Sequence, residues 1–177
     1  MMMPPRLIEK MLKIKLLILD VDGILTDGRI VYDSRGHQLK FFDVQDGFGI
    51  HLLRMAGVES AIITAKRSKV VTRRAKDFKV KYIYQDCINK IKPFENVSKR
   101  LNLQPDEVCF IGDDLIDIPV LKRVGFAASV PNAVDEVKEV AHYVTRREGG
   151  RGAVREVCDL IIKAQGKWDQ VTSRFTG

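Results

Sequence analysis

The sequence predicts a doubly wound α/β protein built on a parallel sheet, and three observations carry that expectation. Short apolar runs alternate with longer stretches of helical periodicity along nearly the whole chain. Those runs are continuous rather than alternating, as strands buried on both faces of a parallel sheet must be. Polar residues of catalytic type collect just after the runs, at the strand ends where such folds gather ligands.

Taken in order, residues 1–15 are basic and only loosely apolar, and those before Lys15 enter no predicted element. The run Leu16-Leu17-Ile18-Leu19 makes a first strand over 15–20. The alternation then breaks. Two β-rich segments, 29–33 and 37–43, flank Ser34-Arg35-Gly36 and read as a hairpin inserted before the first helix. A two-stranded ribbon is marginal alone, and Ile30, Tyr32, Leu39, Phe41 and Phe42 give this one apolar surface to cover. Regular alternation resumes with helices over 47–56, 68–78, 89–101, 116–124, 133–140 and 152–164. The intervening strands are predicted over 58–64, 81–84, 108–112, 126–129 and 142–144, and a C-terminal tail follows from about 166. With right-handed crossovers this is a Rossmann-like sheet, in one domain spanning 1–177, with the hairpin as a minimal cap.

Composition narrows the function classes. The 177 residues are 45% apolar and 30% charged, ordinary values for a globular domain. Cys87, Cys109 and Cys158 have neither zinc-ligand spacing nor an even count, which points to a reducing, cytoplasmic setting. No run approaches the roughly 20 apolar residues needed to span a bilayer, so no membrane partner is expected. The net charge of +7 is dispersed except at Lys66, Arg67, Lys69, Arg73, Arg74 and Lys76. No aromatic residues interleave that cluster, so nucleic acid finds no stacking platform; a small polyanionic substrate fits the charge better.

Asp20-Val21-Asp22-Gly23 directly follows the first strand. Carboxylates two apart on extended chain share a side, and Gly23 permits the sharp turn that follows. Such a pair suits a hard, oxygen-bound cation such as Mg²⁺. A calcium loop of the helix-loop-helix type is excluded, because its required glycine and glutamate positions hold Leu25 and Val31. Thr64 ends the second parallel strand, Lys90 opens a later helix, and Gly112-Asp113-Asp114 follows another apolar strand with Asp117 close behind.

In this order Asp-Val-Asp-Gly, Thr64, Lys90 and Gly112-Asp113-Asp114 resemble the four motifs of the haloacid dehalogenase-like superfamily. Residues 16–28 (LLILDVDGILTDG), 42–50 (FDVQDGFGI), 112–119 (GDDLIDIP) and 149–160 (GGRGAVREVCDL) are similar, more narrowly, to the 3-deoxy-D-manno-octulosonate 8-phosphate phosphatase family. The resemblance spans roughly residues 14 to 167. It implies Asp20 as nucleophile, Asp22 as acid and base, Thr64 and Lys90 on the phosphoryl group, and Mg²⁺ held by Asp20, the Asp22 carbonyl and Asp113. Asp114 and Asp117 are implied in support, with Asp114 orienting Lys90 or the metal's surroundings. The phosphorylated keto sugar acid would meet Asp22, Asp43, Val44, Gln45, Asp46, Gly47, His51, Lys66, Arg74 and Lys90. A homotetramer is implied, its hairpins packed together and its tails approaching neighbouring sites, in an enzyme serving lipopolysaccharide synthesis.

The chain departs from the family pattern at Gln45 and His51, where basic residues are usual, and at Ala65 and Lys66, where glycine and arginine are usual. Arg151 in the GGRGA stretch offers a compensating cation. Three alternatives stay open on the sequence: a phosphatase of a nine-carbon keto acid 9-phosphate, a phospho-accepting receiver module, and a catalytically silent binding protein.

Overall fold

The computed structural model describes residues 4–176. In chain order the elements are α1 (Pro5–Leu12), β1 (Leu16–Leu19), β2 (Val31–Tyr32), β3 (Gln38–Leu39), α2 (Val44–Met55), β4 (Glu59–Ile63), α3 (Lys69–Asp77), β5 (Tyr82–Tyr84), α4 (Ile91–Leu101), β6 (Val108–Ile111), α5 (Ile118–Leu121), β7 (Phe126–Ser129), α6 (Asp135–Val140), β8 (Tyr143–Val144), α7 (Ala153–Ala164) and α8 (Trp168–Thr176). Single 3₁₀ turns at Pro105–Glu107 and Leu115–Asp117 precede β6 and α5.

Six strands form one parallel sheet in the order β5-β4-β1-β6-β7-β8. From β1 the chain winds outward through β4 to β5, then crosses back to β6 on the other side. The winding therefore reverses between β1 and β6, and a crevice opens beyond their carboxyl ends. The sequence explains why these two strands are central. All four residues of each are buried, and their eight side chains are apolar. Helices cover both faces, with α2 packed along α7. Each such aliphatic side chain withdrawn from water contributes about 1.5–3 kcal/mol before the entropy of ordering is set against it.

Four differences from the sequence expectation have local causes. The helix expected over 116–124 shrinks to α5, because the Asp117 side chain caps the backbone ahead of it and Gly125 follows soon after. α2 starts earlier than expected, at Val44, because the Asp43 carboxylate accepts the Gln45 N–H at 2.6 Å. The hairpin ladder holds only Val31 opposite Leu39 and Tyr32 opposite Gln38, so its strands are shorter than the predicted 29–33 and 37–43. Its turn is set by the Asp33 carboxylate, which accepts the N–H groups of Arg35 and His37. Finally, α1 and α8 were not expected. α1 starts with Pro5, which suits a first helical position, and buries Met11. α8 replaces the expected tail: Val171 is buried, and Phe175 meets Phe48 of α2 edge-on with ring centroids 5.2 Å apart.

Candidate active site

Register places the candidate residues together. Leu19 lies beside Ile62 on one side and Ile111 on the other, so Asp20, Thr64 and Gly112-Asp113 leave adjacent strands at one end of the sheet. The Asp20 N–H donates to the Ile111 carbonyl at 3.1 Å, which fixes the Asp20 backbone to the end of β6. The chain then turns tightly, with the N–H groups of Leu25 and Thr26 donating to the Val21 carbonyl at 2.9 and 3.1 Å. Gly23 is required twice here. Its φ of +87° is the left-handed region, and a Cβ on it would overlap the Asp113 carboxylate.

A buried cation sits among these carboxylates. The Lys90 Nζ lies 2.9 Å from Asp20 Oδ1 and 2.6 Å from Asp117 Oδ1, and its side chain is fully buried. Burial disfavours its charge, but Asp20 and Asp117 outweigh that and hold its pKa above the ordinary lysine value. Asp117 Oδ2 in turn accepts the N–H groups of Asp113 and Asp114 at 2.9 and 3.2 Å. Asp117 thus ties the position of Lys90 to the backbone of the β6 strand end.

Asp20, Asp113 and Asp117 each bring a carboxylate oxygen within 4.8 Å of the others. Asp117 has both oxygens engaged, so Asp20 and Asp113 are the members open to an ion. Asp113 Oδ1 is buried with no hydrogen-bond partner among the described residues. Burial, then the charges of Asp20 and Asp117, push the Asp113 carboxyl up to about 8. Burial likewise raises Asp20 to about 6, against the opposing pull of Lys90. Carboxylates this costly to ionise are in balance once a divalent cation joins them, and an all-oxygen donor set suits a hard ion such as Mg²⁺. The residues fit the metal.

Thr64 is buried, and its hydroxyl makes no hydrogen bond among the described residues, so it is free to donate to a ligand. Asp22 is partly exposed and paired with Lys40, which reaches in from the hairpin. Sequence reasoning missed Lys40, because a lysine in a ribbon carries no motif. A cleft of about 540 Å³ opens between the hairpin base and residues 150–151, lined by Arg29, Phe41, Asp43, Val44 and Arg151 among others. Arg151 lies 3.9 Å from Asp27 at its edge. A larger cleft of about 680 Å³ lies around Lys15, Val58 and Gln104 at the opposite end of the sheet, away from all these carboxylates.

Several expected substrate contacts have other duties. Asp46 is fully buried and joins helices: its Oδ1 accepts the Arg155 N–H at 2.8 Å, while its Oδ2 has no hydrogen-bond partner among the described residues. Gly47 is set by packing, since a Cβ there would overlap the Phe78 ring. Asp114 does not touch Lys90; it is exposed and accepts the Leu115 N–H at 2.7 Å, while Asp117 takes the supporting role. His51 stacks on Phe48 at 6.0 Å, with Arg54, Lys79 and Arg174 as charged neighbours, on a turn of α2 remote from its first. The first turn of α2 keeps the others nearer the cleft. Asp43 caps the helix, Val44 is exposed, and Gln45 Oε1 accepts Arg147 Nη1 at 2.5 Å. Arg74 stacks on Phe78 with its Cζ 4.1 Å from the ring centroid, and its Nε is buried without a hydrogen-bond partner among the described residues. Lys66 is exposed and makes no ion pair among the described residues.

A model of the haloacid dehalogenase-like hydrolase family matches residues 56–156. Among curated proteins, the 3-deoxy-D-manno-octulosonate 8-phosphate phosphatase KdsC of Escherichia coli strain K12 is 45% identical over 163 residues, which cover 92% of this chain and 87% of that protein. Among solved structures, the same phosphatase from Yersinia pestis is 44% identical with a TM-score of 0.90, covering 92% of this chain and 88% of its own. That of Moraxella catarrhalis, in complex with magnesium ion, phosphate ion and KDO, is 42% identical with a TM-score of 0.94, covering 96% of this chain and 98% of its own.

Proposed function

The chain belongs to the haloacid dehalogenase-like hydrolase family, and on that premise we propose that it is a Mg²⁺-dependent phosphatase hydrolysing 3-deoxy-D-manno-octulosonate 8-phosphate to the free sugar acid and phosphate. The observation that carries the reading is the placement of Lys90 between Asp20 and Asp117 with the unpartnered Asp113 oxygen beside them, in a chain so similar to those phosphatases. The eight-carbon substrate is favoured over the nine-carbon one because the similar proteins are named for it.

Asp20 attacks phosphorus in line, forming an acyl phosphate as the bond to the sugar oxygen breaks. Asp22 gives that oxygen a proton. In the second half Asp22 takes a proton from water, whose oxygen displaces the Asp20 carboxylate from phosphorus. Lys90 keeps Asp20 aimed and draws charge from the phosphoryl oxygens, and the Thr64 hydroxyl donates to one of them. Asp20, Asp113 and the Asp22 carbonyl would hold Mg²⁺, which when bound would supply positive charge to offset the repulsion between carboxylate and phosphate. Asp43, Val44 and Arg151, which line the cleft beside the hairpin, are the sugar-acid contacts this reading favours, with Gln45, Arg74 and Lys66 as further candidates.

The exposed hairpin residues Ile30, Tyr32, Leu39 and Phe41 support assembly as a homotetramer, and the free thiols of Cys87, Cys109 and Cys158 fit a cytoplasmic setting. No helix among the described residues is long and apolar enough to cross a membrane. The deciding experiment is phosphate release from the eight-carbon and nine-carbon phosphorylated keto acids by wild type and D20N. Wild type is expected to favour the eight-carbon ester in kcat/KM, and D20N to lose at least about a thousandfold in kcat. Undiminished release by D20N would end the proposal.

A further inference from the structure

We infer that Lys40 is a positioning residue for the proton-transfer step: from the inserted hairpin it holds the Asp22 carboxyl group, by Oδ1, toward the leaving oxygen. The inference rests on the phosphatase reading and deepens it. Lys40 lies immediately after β3, yet its side chain turns inward and is only 3% exposed. Its Nζ pairs with Asp22 Oδ1, the only carboxylate it meets among the described residues. A lysine so buried needs an oxygen to accept from its ammonium, and Asp22 Oδ1 can do so whether or not Oδ2 carries a proton. The pairing is therefore a fixed feature of the hairpin's seat and not a passing surface contact.

Asp22 needs such a partner. The turn after β1 fixes its backbone through the Val21 carbonyl, but its side chain is 29% exposed and has no other hydrogen bond among the described residues. Without Lys40 the carboxyl would swing freely about its side-chain torsions. With Oδ1 held, Oδ2 is the oxygen left to face the reacting centre. Lys40 itself neither gains nor loses a proton: Asp22 passes one to the departing sugar oxygen and recovers one from the attacking water.

A role in proton transfer has a signature that a structural role lacks. An alkoxide leaving group depends on the acid, whereas nitrophenolate leaves well without it. With Mg²⁺ present, kcat is measured for wild type, K40M, K40Q and K40R on the sugar 8-phosphate and on p-nitrophenyl phosphate, each fold checked by circular dichroism. K40M and K40Q are expected to lose at least about tenfold more on the sugar phosphate than on the aryl ester, within the range of general acid catalysis. K40R is expected to recover part of that difference. Equal losses on both substrates, or no loss on either, would overturn the inference. D20N measured alongside separates the two levels. An active D20N removes the phosphatase reading and this inference with it, whereas an inactive D20N with parallel Lys40 losses removes the inference alone.

Discussion

Lys90 shows how one side chain sets the character of the site. An ammonium with no exposed surface is tolerable only because Asp20 and Asp117 flank it at 2.9 and 2.6 Å. Removing it leaves two buried carboxylates facing each other. K90M is therefore expected to lose about 3–5 kcal/mol of stability in urea melts without metal, together with at least about a hundredfold in kcat. A variant as stable as wild type would show that the triad is not coupled. Asp20, Thr64, Lys90 and Asp113 were legible in the sequence because each stands just beyond an apolar run or at a helix start. Lys40 was not, since its approach to Asp22 depends on how the hairpin folds back. The burial of Asp46 was not legible either: a carboxylate beside a motif gives no sign in sequence that a distant backbone N–H will meet it.

At the scale of elements, Asp46 joins the first turn of α2 to the start of α7. The Arg155 N–H feeds its carboxylate, and the segment before α7 docks on the turn after β1 through the Gly150 N–H and the Ile24 carbonyl, 2.8 Å apart. Burial raises Asp46 to about 6, although the N–H groups of Arg155 and Gly152 pull the other way. A carboxyl raised on folding binds its proton more tightly in the folded state. Its contribution is thus complete below the unfolded value near 4 and is lost as pH rises through about 6. Between pH 4 and 7 wild type should lose about 1–3 kcal/mol relative to D46N, read as the change in their difference across urea melts. Parallel pH profiles would place the titration elsewhere. The helices that sequence reading missed, α1 and α8, are short and owe their order to the domain they cover, as the burial of Met11 and Val171 shows.

For the molecule as a whole, the hairpin is the feature out of balance with a monomer. Tyr32 is 62% exposed, on a ribbon of two residue pairs, and Phe41 just beyond it is 59% exposed. Assembly through this ribbon is expected to give wild type four times the chain mass by light scattering. The double variant I30E/F41E is expected to run as a smaller species that still melts cooperatively. A wild-type monomer would contradict the assembly, leaving the site chemistry within one chain untouched.

By itself the sequence determined the parallel α/β sheet, the strand ends at which the candidate residues gather and the phosphatase family. Those features depend on local apolar patterning and on short motifs whose spacing survives translation into structure. The tertiary structure decided which carboxylate holds Lys90, that Asp117 does so while Asp114 faces water, that Asp46 locks two helices, and that a hairpin lysine reaches Asp22. Each is a contact between residues distant in the chain or a choice between near neighbours. Burial and hydrogen-bond satisfaction make that choice, and both exist only once the elements have packed.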